Sequence, residues 1–322
     1  MTLVLVVSNT QDIHVKLVTD RLNAAGHEVV RFDTDRVGDG CSVSFVDDGP
    51  HSRPQLIVNS VALSTCDVGS VWWRRPEAIK TRGDLQAEAA KFAQQEWTAA
   101  VHGVLRTIDA LWVSHPEALR LANHKILQLQ LARAVGLMTP TTCVSNDPAT
   151  IRTFCERHRY HVIAKLVGAG PPRVEPPALQ YMVFTAPVRP PDLASDAALA
   201  AAPAIYQEYI EKDHELRVTI VGDQVYACAI ESQATTRTTI DWRRYDLDRT
   251  PHHATQLDPR VRDACLELAR RLNLAFAAID LVVTPGGDVV FLEINPNGQW
   301  GWIEEMTGLP IAQALADLLA GG

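Results

Sequence analysis

Apolar residues at the start of the chain recur first with strand and then with helix spacing. The run from Leu3 to Val7 predicts a buried strand. A helical period follows from Ile13 to Ala25 and stops at Gly26, before a second strand from Glu28 to Phe32. Further β structure is expected to about Arg75, then a helix over 84–106 and a short strand over 111–114. These patterns predict an N-terminal α/β domain over residues 1–110.

The middle of the chain predicts a second unit over residues 111–204. Pro116 to Val135 has one continuous helical pattern, with proline at its start and Gly136 as a stop signal. His161 to Val167 is an apolar strand that contains Lys165. The stretch from 168 to about 203 is rich in proline and alanine, and we expect it to be a mobile loop with some short strand.

The last third, residues 205–322, predicts an antiparallel sheet covered by helices, which is α+β in character. Strands are expected at Ile205 to Ile210, Leu216 to Val221 and Gln224 to Ile230. An amphipathic helix over 259–273, a hairpin over 276–294 and a closing helix over 310–319 complete the pattern.

The hairpin places two acidic residues inside otherwise apolar strands. Gly286-Gly287 suits a two-residue turn with positive φ angles. Such a turn would pair Asp280 directly with Glu293, and Asn295 would lie on the same face as Glu293. Opposed carboxylates repel each other, so the pattern predicts a positive charge between them.

Two interpretations of that charge remain open. Two carboxylates and an amide supply the oxygen ligands that suit Mg²⁺ carrying a nucleotide phosphate. The alternative is an ordinary hairpin whose acids are solvated or paired with arginine.

Composition excludes several classes of protein. The chain has 322 residues, of which 47% are hydrophobic and 21% charged, as is usual for a globular protein. Its net charge of −8 argues against binding nucleic acid mainly through phosphate contacts. The 6 scattered cysteines lack a zinc-binding pattern, and no apolar run is long enough for a signal peptide or a membrane span. We therefore expect a cytoplasmic protein with reduced thiols.

Other candidate residues are basic or aromatic. Lys165 on an apolar strand favours an anionic partner such as phosphate, although a lysine at a strand edge can also extend into solvent. Arg217, Arg237 and Arg243 could hold a phosphate or a carboxylate, but each could also be an ordinary surface residue. The sequence Trp-Trp-Arg-Arg at 72–75 is either core packing or the wall of an acid-binding or peptide-binding surface.

These motifs together resemble those of one superfamily. A helix lysine, a strand lysine before a glycine turn, the QEYI segment at 207–210, an acid before an arginine and the D…E-x-N hairpin occur in the order typical of ATP-grasp ligases. VWWRRP at 71–76, NHKILQLQLARAVGLMTPTT at 123–142, DWRRY at 241–245 and FLEINPNGQWGWIEEMTGLPIA at 291–312 resemble the microviridin-type peptide maturases, the graspetide synthetases. The resemblance spans nearly the whole chain.

The resemblance implies a fold and a set of site residues. The fold would be an ATP-grasp, with an N-terminal pre-ATP-grasp domain followed by central and C-terminal α+β subdomains that clasp ATP. Lys125 and Lys165 would contact phosphates, Glu208, Tyr209 and Ile210 would bracket adenine, and Glu215 would hold ribose. Asp280, Glu293 and Asn295 would bind Mg²⁺, while Arg217 and Arg243 would face phosphate or the acidic substrate.

The resemblance also implies an activity. Family members phosphorylate an Asp or Glu side chain of a precursor peptide, and a Thr or Ser hydroxyl or a Lys amine then attacks to close a macrocyclic ester or amide. A leader segment of the peptide docks on the enzyme, homodimers are usual, and no nucleic acid or membrane is involved. Two alternatives remain: a ligase that adds a free amino acid to a carboxylate, and a peptide-binding subunit without catalytic activity.

Overall fold

The computed structural model of the chain describes residues 2–37, 41–49, 52–58, 60–81, 83–168, 185–234 and 250–321. Its N-terminal part is an α/β unit. The elements are β1 (Leu3–Ser8), α1 (Ile13–Ala24), β2 (Glu28–Asp33), β3 (Ser42–Ser44), β4 (Gln55–Val58), β5 (Val61–Ser64), β6 (Val68–Trp73), α2 (Ala87–Leu105) and β7 (Leu111–Val113). The predicted order of strands and helices is confirmed here.

The N-terminal unit contains a parallel sheet of order β2-β1-β6-β7 and a small antiparallel sheet of order β3-β4-β5. Asp12 caps α1 by accepting a hydrogen bond from the backbone of His14, and Gly26 ends that turn with a φ of 82°. The connection from β1 leads to β2 on one side, and the connection from β6 leads to β7 on the other side. The carboxyl ends of β1 and β6 therefore form the topological switch point of the sheet, where open α/β sheets usually bind ligands.

The middle of the chain forms a second unit. Its elements are α3 (Pro116–Ala122), α4 (Lys125–Ala134), β8 (Thr142–Ser145), α5 (Pro148–Arg157), β9 (Val162–Lys165), β10 (Ala186–Pro187), α6 (Asp196–Ala200) and β11 (Ala204–Glu208). The sheet has the order β10-β9-β11-β8 and packs against α5.

Two predictions for this region are wrong. The single helix over 116–135 is two helices, because His124 is extended, with a ψ of 99°, and occupies the N-cap position of α4. The segment over 185–203 is more compact than a loop: it contains β10, a 3₁₀ turn and α6, and it buries Leu193 and Leu199 against the central sheet. The preceding residues 169–184 lie outside the described residues.

The C-terminal part is an antiparallel sheet with helices on it, as predicted. The strand expected in it at Ile205 to Ile210 is wrong in its placement, because this segment is β11 of the central sheet, where it pairs with β8 and β9. Its elements are β12 (His214–Val221), β13 (Gln224–Ile230), β14 (His252–Thr255), α7 (Pro259–Arg271), β15 (Phe276–Val283), β16 (Val289–Asn295), α8 (Gly301–Thr307) and α9 (Ile311–Ala320). The strand order is β14-β13-β12-β15-β16.

Alternation along the central strands separates core from site. Leu216, Val218 and Ile220 of β12 face a core shared with α7, so Glu215 and Arg217 point to the opposite face. The same alternation on β15 turns Asp280 to the face that carries Arg217. This face of the sheet therefore collects the charged residues.

A second core joins the two ends of the chain. Helix α9 packs against α1 and the N-terminal sheet, and Trp72 lies fully within this cluster. The hydroxyl of Ser70 donates to the carbonyl of Leu319 at 2.6 Å. The core-packing interpretation of Trp72 is thus confirmed. No helix in the described part of the chain is both long and apolar enough to cross a bilayer.

Candidate active site

Asp280 and Glu293 face each other across β15 and β16, as predicted, but the hairpin reaches this register by a different route. The turn contains three residues, because the backbone N–H of Thr284 bonds the carbonyl of Asp288, and Gly287 takes a φ of 87°. A bulge between Asp280 and Leu281 then leaves Leu292 without a partner in the register. The longer turn shifts the pairing by one residue and the bulge shifts it back.

Each acid is paired with a cation. Arg217 lies directly opposite Asp280, and its Nη1 donates to Oδ1 at 2.8 Å. Lys125 Nζ donates to Glu293 Oε2 at 2.7 Å. The repulsion between the two carboxylates is therefore offset within the protein. This is the arginine-paired arrangement left open at the sequence level, extended by a lysine.

Asn295 joins the two acids. Its Nδ2 lies 2.9 Å from Glu293 Oε1 and 3.5 Å from Asp280 Oδ2. Rotation of the amide by half a turn would aim Oδ1 at the same point, and two carboxylates with one amide oxygen suit Mg²⁺. No cluster of three or more His, Cys, Asp or Glu side chains that could hold a metal occurs in the described ranges. Two carboxylates and one amide oxygen supply only part of an octahedral shell, and this donor set fits an ion that takes its other ligands from substrate oxygens and water.

Helix α4 brings Lys125 to Glu293. Lys125 is the first residue of α4, which begins after the break at His124. Buried Gln128, one turn further on, donates to the carbonyl of Ile294 at 2.9 Å and accepts from the N–H of Ile294 at 3.2 Å. Gln128 therefore holds the start of α4 against the strand that carries Glu293 and Asn295.

A cleft of about 600 Å³, partly open to solvent, lies between the central and C-terminal sheets. Among the residues that line it are these predicted site residues: Lys165, Glu208, Tyr209, Ile210, Glu215, Asp280 and Glu293. Lys165 Nζ donates to Gln207 Oε1 at 2.8 Å, and Gln207 in turn donates to Thr142. The backbone at Glu208 and Tyr209 bonds the carbonyls of Thr141 and His161. The fold thus places most predicted nucleotide-binding residues at one cleft.

Glu215, which is predicted to hold ribose, is almost completely buried. It is 3% exposed, and its carboxylate accepts from Lys212 Nζ at 2.8 Å. Burial raises the pKa of Glu215, while the charge of Lys212 opposes the rise. The contact of Glu215 with ribose stays a prediction. The carboxylate that would make this contact already accepts a hydrogen bond from Lys212.

Arg74 connects the N-terminal sheet to the loop after β16. Its side chain is 1% exposed, and Nε donates to Asp12 Oδ2 at 3.0 Å. Nη1 donates to the carbonyls of Asn297 and Gly298 at 3.2 and 3.0 Å. Burial opposes ionisation of Asp12, but the hydrogen bond from His14 and the charge of Arg74 outweigh it and lower the pKa of Asp12 to about 2. Burial lowers the pKa of Arg74 to about 10, which leaves it protonated.

Some predicted residues lie elsewhere or were missed. Arg237 and the whole motif at 241–245, which includes Arg243, lie outside the described residues, as do residues 169–170 of the predicted glycine turn at 168–170. Sequence reasoning did not assign Lys212, Gln128 or Asp12 to the site. The amphipathic pattern did contain one signal for Gln128, since a polar residue occupies an inward position of α4.

Comparison with known families agrees with this architecture. A family profile described as the MvdD pre-ATP grasp domain matches residues 3–120. A second, described as a RimK-like ATP-grasp domain, matches residues 180–319. No curated protein sequence matches the chain.

Solved structures are similar over the full length. The macrocyclase MdnC of Microcystis aeruginosa MRC, bound with precursor peptide MdnA, is 30% identical with a TM-score of 0.87, and the match covers 100% of both chains. A RiPP-associated ATP-grasp ligase of Chryseobacterium gregarium, in complex with ADP and a leader and core peptide, is 30% identical with a TM-score of 0.91. That match covers 100% of this chain and 97% of the other. The macrocyclase MdnB of Microcystis aeruginosa MRC is 29% identical with a TM-score of 0.82, again over 100% of both chains.

The domain order, the cleft between two sheets and the full-length similarity agree with one another. The chain belongs to the ATP-grasp ligases that mature ribosomally made peptides, the graspetide maturase family, and is an ATP-dependent ligase.

Proposed function

We propose that this enzyme phosphorylates Asp or Glu side chains of a ribosomally made precursor peptide and closes macrocyclic esters, or amides, onto Thr or Ser, or Lys. The observation that carries the proposal is the full-length similarity, at 30% identity, to MdnC with its precursor peptide and to a ligase with leader and core peptides. The local geometry supports the proposal, because Asp280 and Glu293 line one cleft and each carboxylate is bonded by a cationic side chain.

ATP and Mg²⁺ are the proposed cosubstrate and cofactor. Bound MgATP would supply the phosphoryl group that turns a carboxylate into a reactive acyl phosphate. Asp280, Glu293 and Asn295 would hold the ion, and this requires Lys125 to leave Glu293 or to share it. Lys125 would then be free to contact a phosphate oxygen within reach of its present position. Glu208, Tyr209 and Ile210 would bracket the base, and Glu215 the ribose.

The cationic residues would act on charge that develops during transfer. Lys165 lines the cleft and Arg217 lies beside Asp280, which supports a role for both in contacting the phosphates. Donors fixed before the reaction stabilise a transferring phosphoryl group without reorganising. Arg243 is proposed for the substrate carboxylate on the family resemblance alone. A protein nucleophile is unnecessary, because the substrate hydroxyl or amine attacks the acyl carbon and phosphate leaves.

The proposal extends to partners and domains. A leader segment would dock on the enzyme and deliver an acidic core rich in Thr, and two copies of the chain would form a homodimer. The division into residues 1–110, 111–204 and 205–322 is likewise proposed, with the cleft between the last two parts. Strand β7 pairs with β6, so the N-terminal sheet extends to Val113. Strand β11 pairs with β8 and β9, so the central sheet extends to Glu208.

The test uses the purified enzyme with ATP, Mg²⁺ and an acidic, Thr-rich peptide encoded beside it. Mass spectrometry should show loss of whole waters, one for each ring, together with ADP. Mild alkali should restore the lost water if the rings are esters and leave amides intact. Added amino acids instead of lost waters would favour the alternative ligase, and absence of ADP with every acidic peptide would refute both.

A matched pair of variants tests the proposed metal site. Glu293→Ala should abolish ADP formation while the protein stays folded by circular dichroism. Glu305→Ala removes an exposed acid of α8 and should keep normal activity. Normal turnover by Glu293→Ala would remove the metal assignment.

A further inference from the structure

Arg74 directly follows a strand of the N-terminal sheet, yet it donates two hydrogen bonds to the C-terminal domain. It follows β6 directly and lies at the switch point between β1 and β6. In many α/β folds a ligand fills that crevice. Here the loop after β16 fills it, with the carbonyls of Asn297 and Gly298 on Nη1.

The loop held by Arg74 is continuous with the proposed metal site. It starts two residues after Asn295, and the N–H of Gly298 bonds the carbonyl of Asn295 at 3.3 Å. The carbonyl of Gln299 accepts from Arg217 Nη2 at 3.2 Å, and the same guanidinium holds Asp280. Hydrogen bonds and the backbone of Gly298 and Gln299 therefore connect Arg74 to the backbone of Asn295 and to Arg217.

The loop has little room to move. A Cβ on Gly298 would lie 2.5 Å from the Cβ of Ala278 and 2.6 Å from Arg217 Nη2. The N-terminal side of the crevice is also held by hydrogen bonds. Asp12 accepts from Arg74 and from His14. The N–H of Trp300, directly after the loop, donates to His14 Nε2 at 3.4 Å. The loop is thus clamped between the two domains.

We infer that Arg74, oriented by Asp12, is a positioning residue for the metal and phosphate site: it fixes the loop over 297–299 and through it Asn295 and Arg217. The inference rests on the proposed function. The planar fork of arginine is required, because one side chain must bond a carboxylate through Nε and two carbonyls through Nη1. Lysine keeps the charge but cannot make this set of contacts.

The chain offers a matched control for simple docking of the domains. Arg21 of α1 also reaches the C-terminal domain, where Nη2 lies 2.8 Å from Glu304 Oε1 of α8. Glu304 lies in α8, beyond the loop over 297–299, and the pair bonds no residue of that loop. If Arg74 merely joined the two domains, Arg74→Lys and Arg21→Lys would have the same consequences.

The experiment measures binding of a nonhydrolysable ATP analogue by calorimetry, with Mg²⁺ and with EDTA. Arg74→Lys should weaken binding with Mg²⁺ roughly 10-fold, the loss typical when a group that orients metal ligands is changed. Binding in EDTA should stay as in the wild type, and Arg21→Lys should match the wild type in both conditions. Wild-type affinity with Mg²⁺ in Arg74→Lys, or equal losses with and without Mg²⁺, would overturn the inference.

A second variant covers a failure to fold. If Arg74→Lys is not soluble, Asp12→Asn keeps the shape of the orienting partner and removes its charge, and it should weaken only the Mg²⁺-dependent binding. Unchanged binding in Asp12→Asn would also overturn the inference. A wild-type protein that binds the analogue equally with and without Mg²⁺ would refute the proposed function itself, which separates the two failures.

Discussion

Replacing Gly298 by alanine adds one methyl group at the most crowded point of the loop after β16. The new Cβ would lie 2.5 Å from the Cβ of Ala278 and 2.6 Å from Arg217 Nη2. Ordinary contacts of a Cβ begin at 3.4 Å, so the loop or the strand must shift by about 1 Å. The Cβ of Ala278 is fixed to the middle of β15 and cannot rotate away. The strain therefore falls on the loop and on Arg217.

Two magnitudes follow for Gly298→Ala. Overpacking of this kind costs about 1–3 kcal/mol of the free energy of unfolding. A displacement of about 1 Å at a reacting site can lower the rate roughly 100-fold. The variant should therefore remain folded, with a lower urea midpoint, and lose most of its peptide-dependent ADP formation.

The control for this prediction is Gly103→Ala. Gly103 lies on the exposed face of α2, where a Cβ meets nothing within 4 Å, so alanine should stabilise the helix by about 0.5–1 kcal/mol. ADP release by a coupled assay and urea unfolding by circular dichroism measure the two effects. Wild-type activity in Gly298→Ala would refute the argument that the loop position controls the site.

Three further predictions concern buried polar groups. Lys212→Met leaves the carboxylate of Glu215 buried without its ion pair, and should lower the free energy of unfolding in urea by about 3–5 kcal/mol. Adding Glu215→Gln should restore much of the lost stability, and a double variant as unstable as Lys212→Met would contradict this explanation. Burial lowers the pKa of His14, so the unfolded chain binds more protons than the folded chain as the pH falls from about 7.5 to 5.5, and the free energy of unfolding should fall over this range. His14→Gln should show a smaller fall. An unchanged dependence of stability on pH in this variant would exclude His14 as the cause. Gln128→Leu leaves the N–H and carbonyl of Ile294 unbonded and should cost about 1–3 kcal/mol, with a wild-type urea midpoint as the refuting result.

Sequence patterns predicted those parts of the fold that depend on local periodicity. Strand β13 has the bounds predicted for it, and the opposition of Asp280 and Glu293 is confirmed. The break at His124 was missed because residues on both sides continue the same apolar spacing, and only ψ at His124 distinguishes two helices from one. Local pattern decides which residues form an element, but it does not reveal a single residue that leaves the helical region.

The contacts between domains could not be predicted in the same way. Arg74 and Gly298 are 224 residues apart, and no periodicity relates them. The motif at 72–75 drew attention through its composition, which favoured core packing but left a binding role open. Trp72 proved to be core, whereas Arg74 is buried against a loop of the other domain. Such assignments require the tertiary arrangement, because burial and hydrogen-bond partners decide between them.

The bulge in the hairpin that carries Asp280 and Glu293 has a further consequence. The three-residue turn alone sets a register that is one residue away from opposing the two acids, and the bulge at Leu292 restores it. Without the bulge, the same turn would pair Asp280 with Leu292 and Glu293 with Ile279, whose side chain lies in the hydrophobic core. A single extra residue opposite Asp280 is therefore as necessary for the two acids to meet as the identity of the carboxylates.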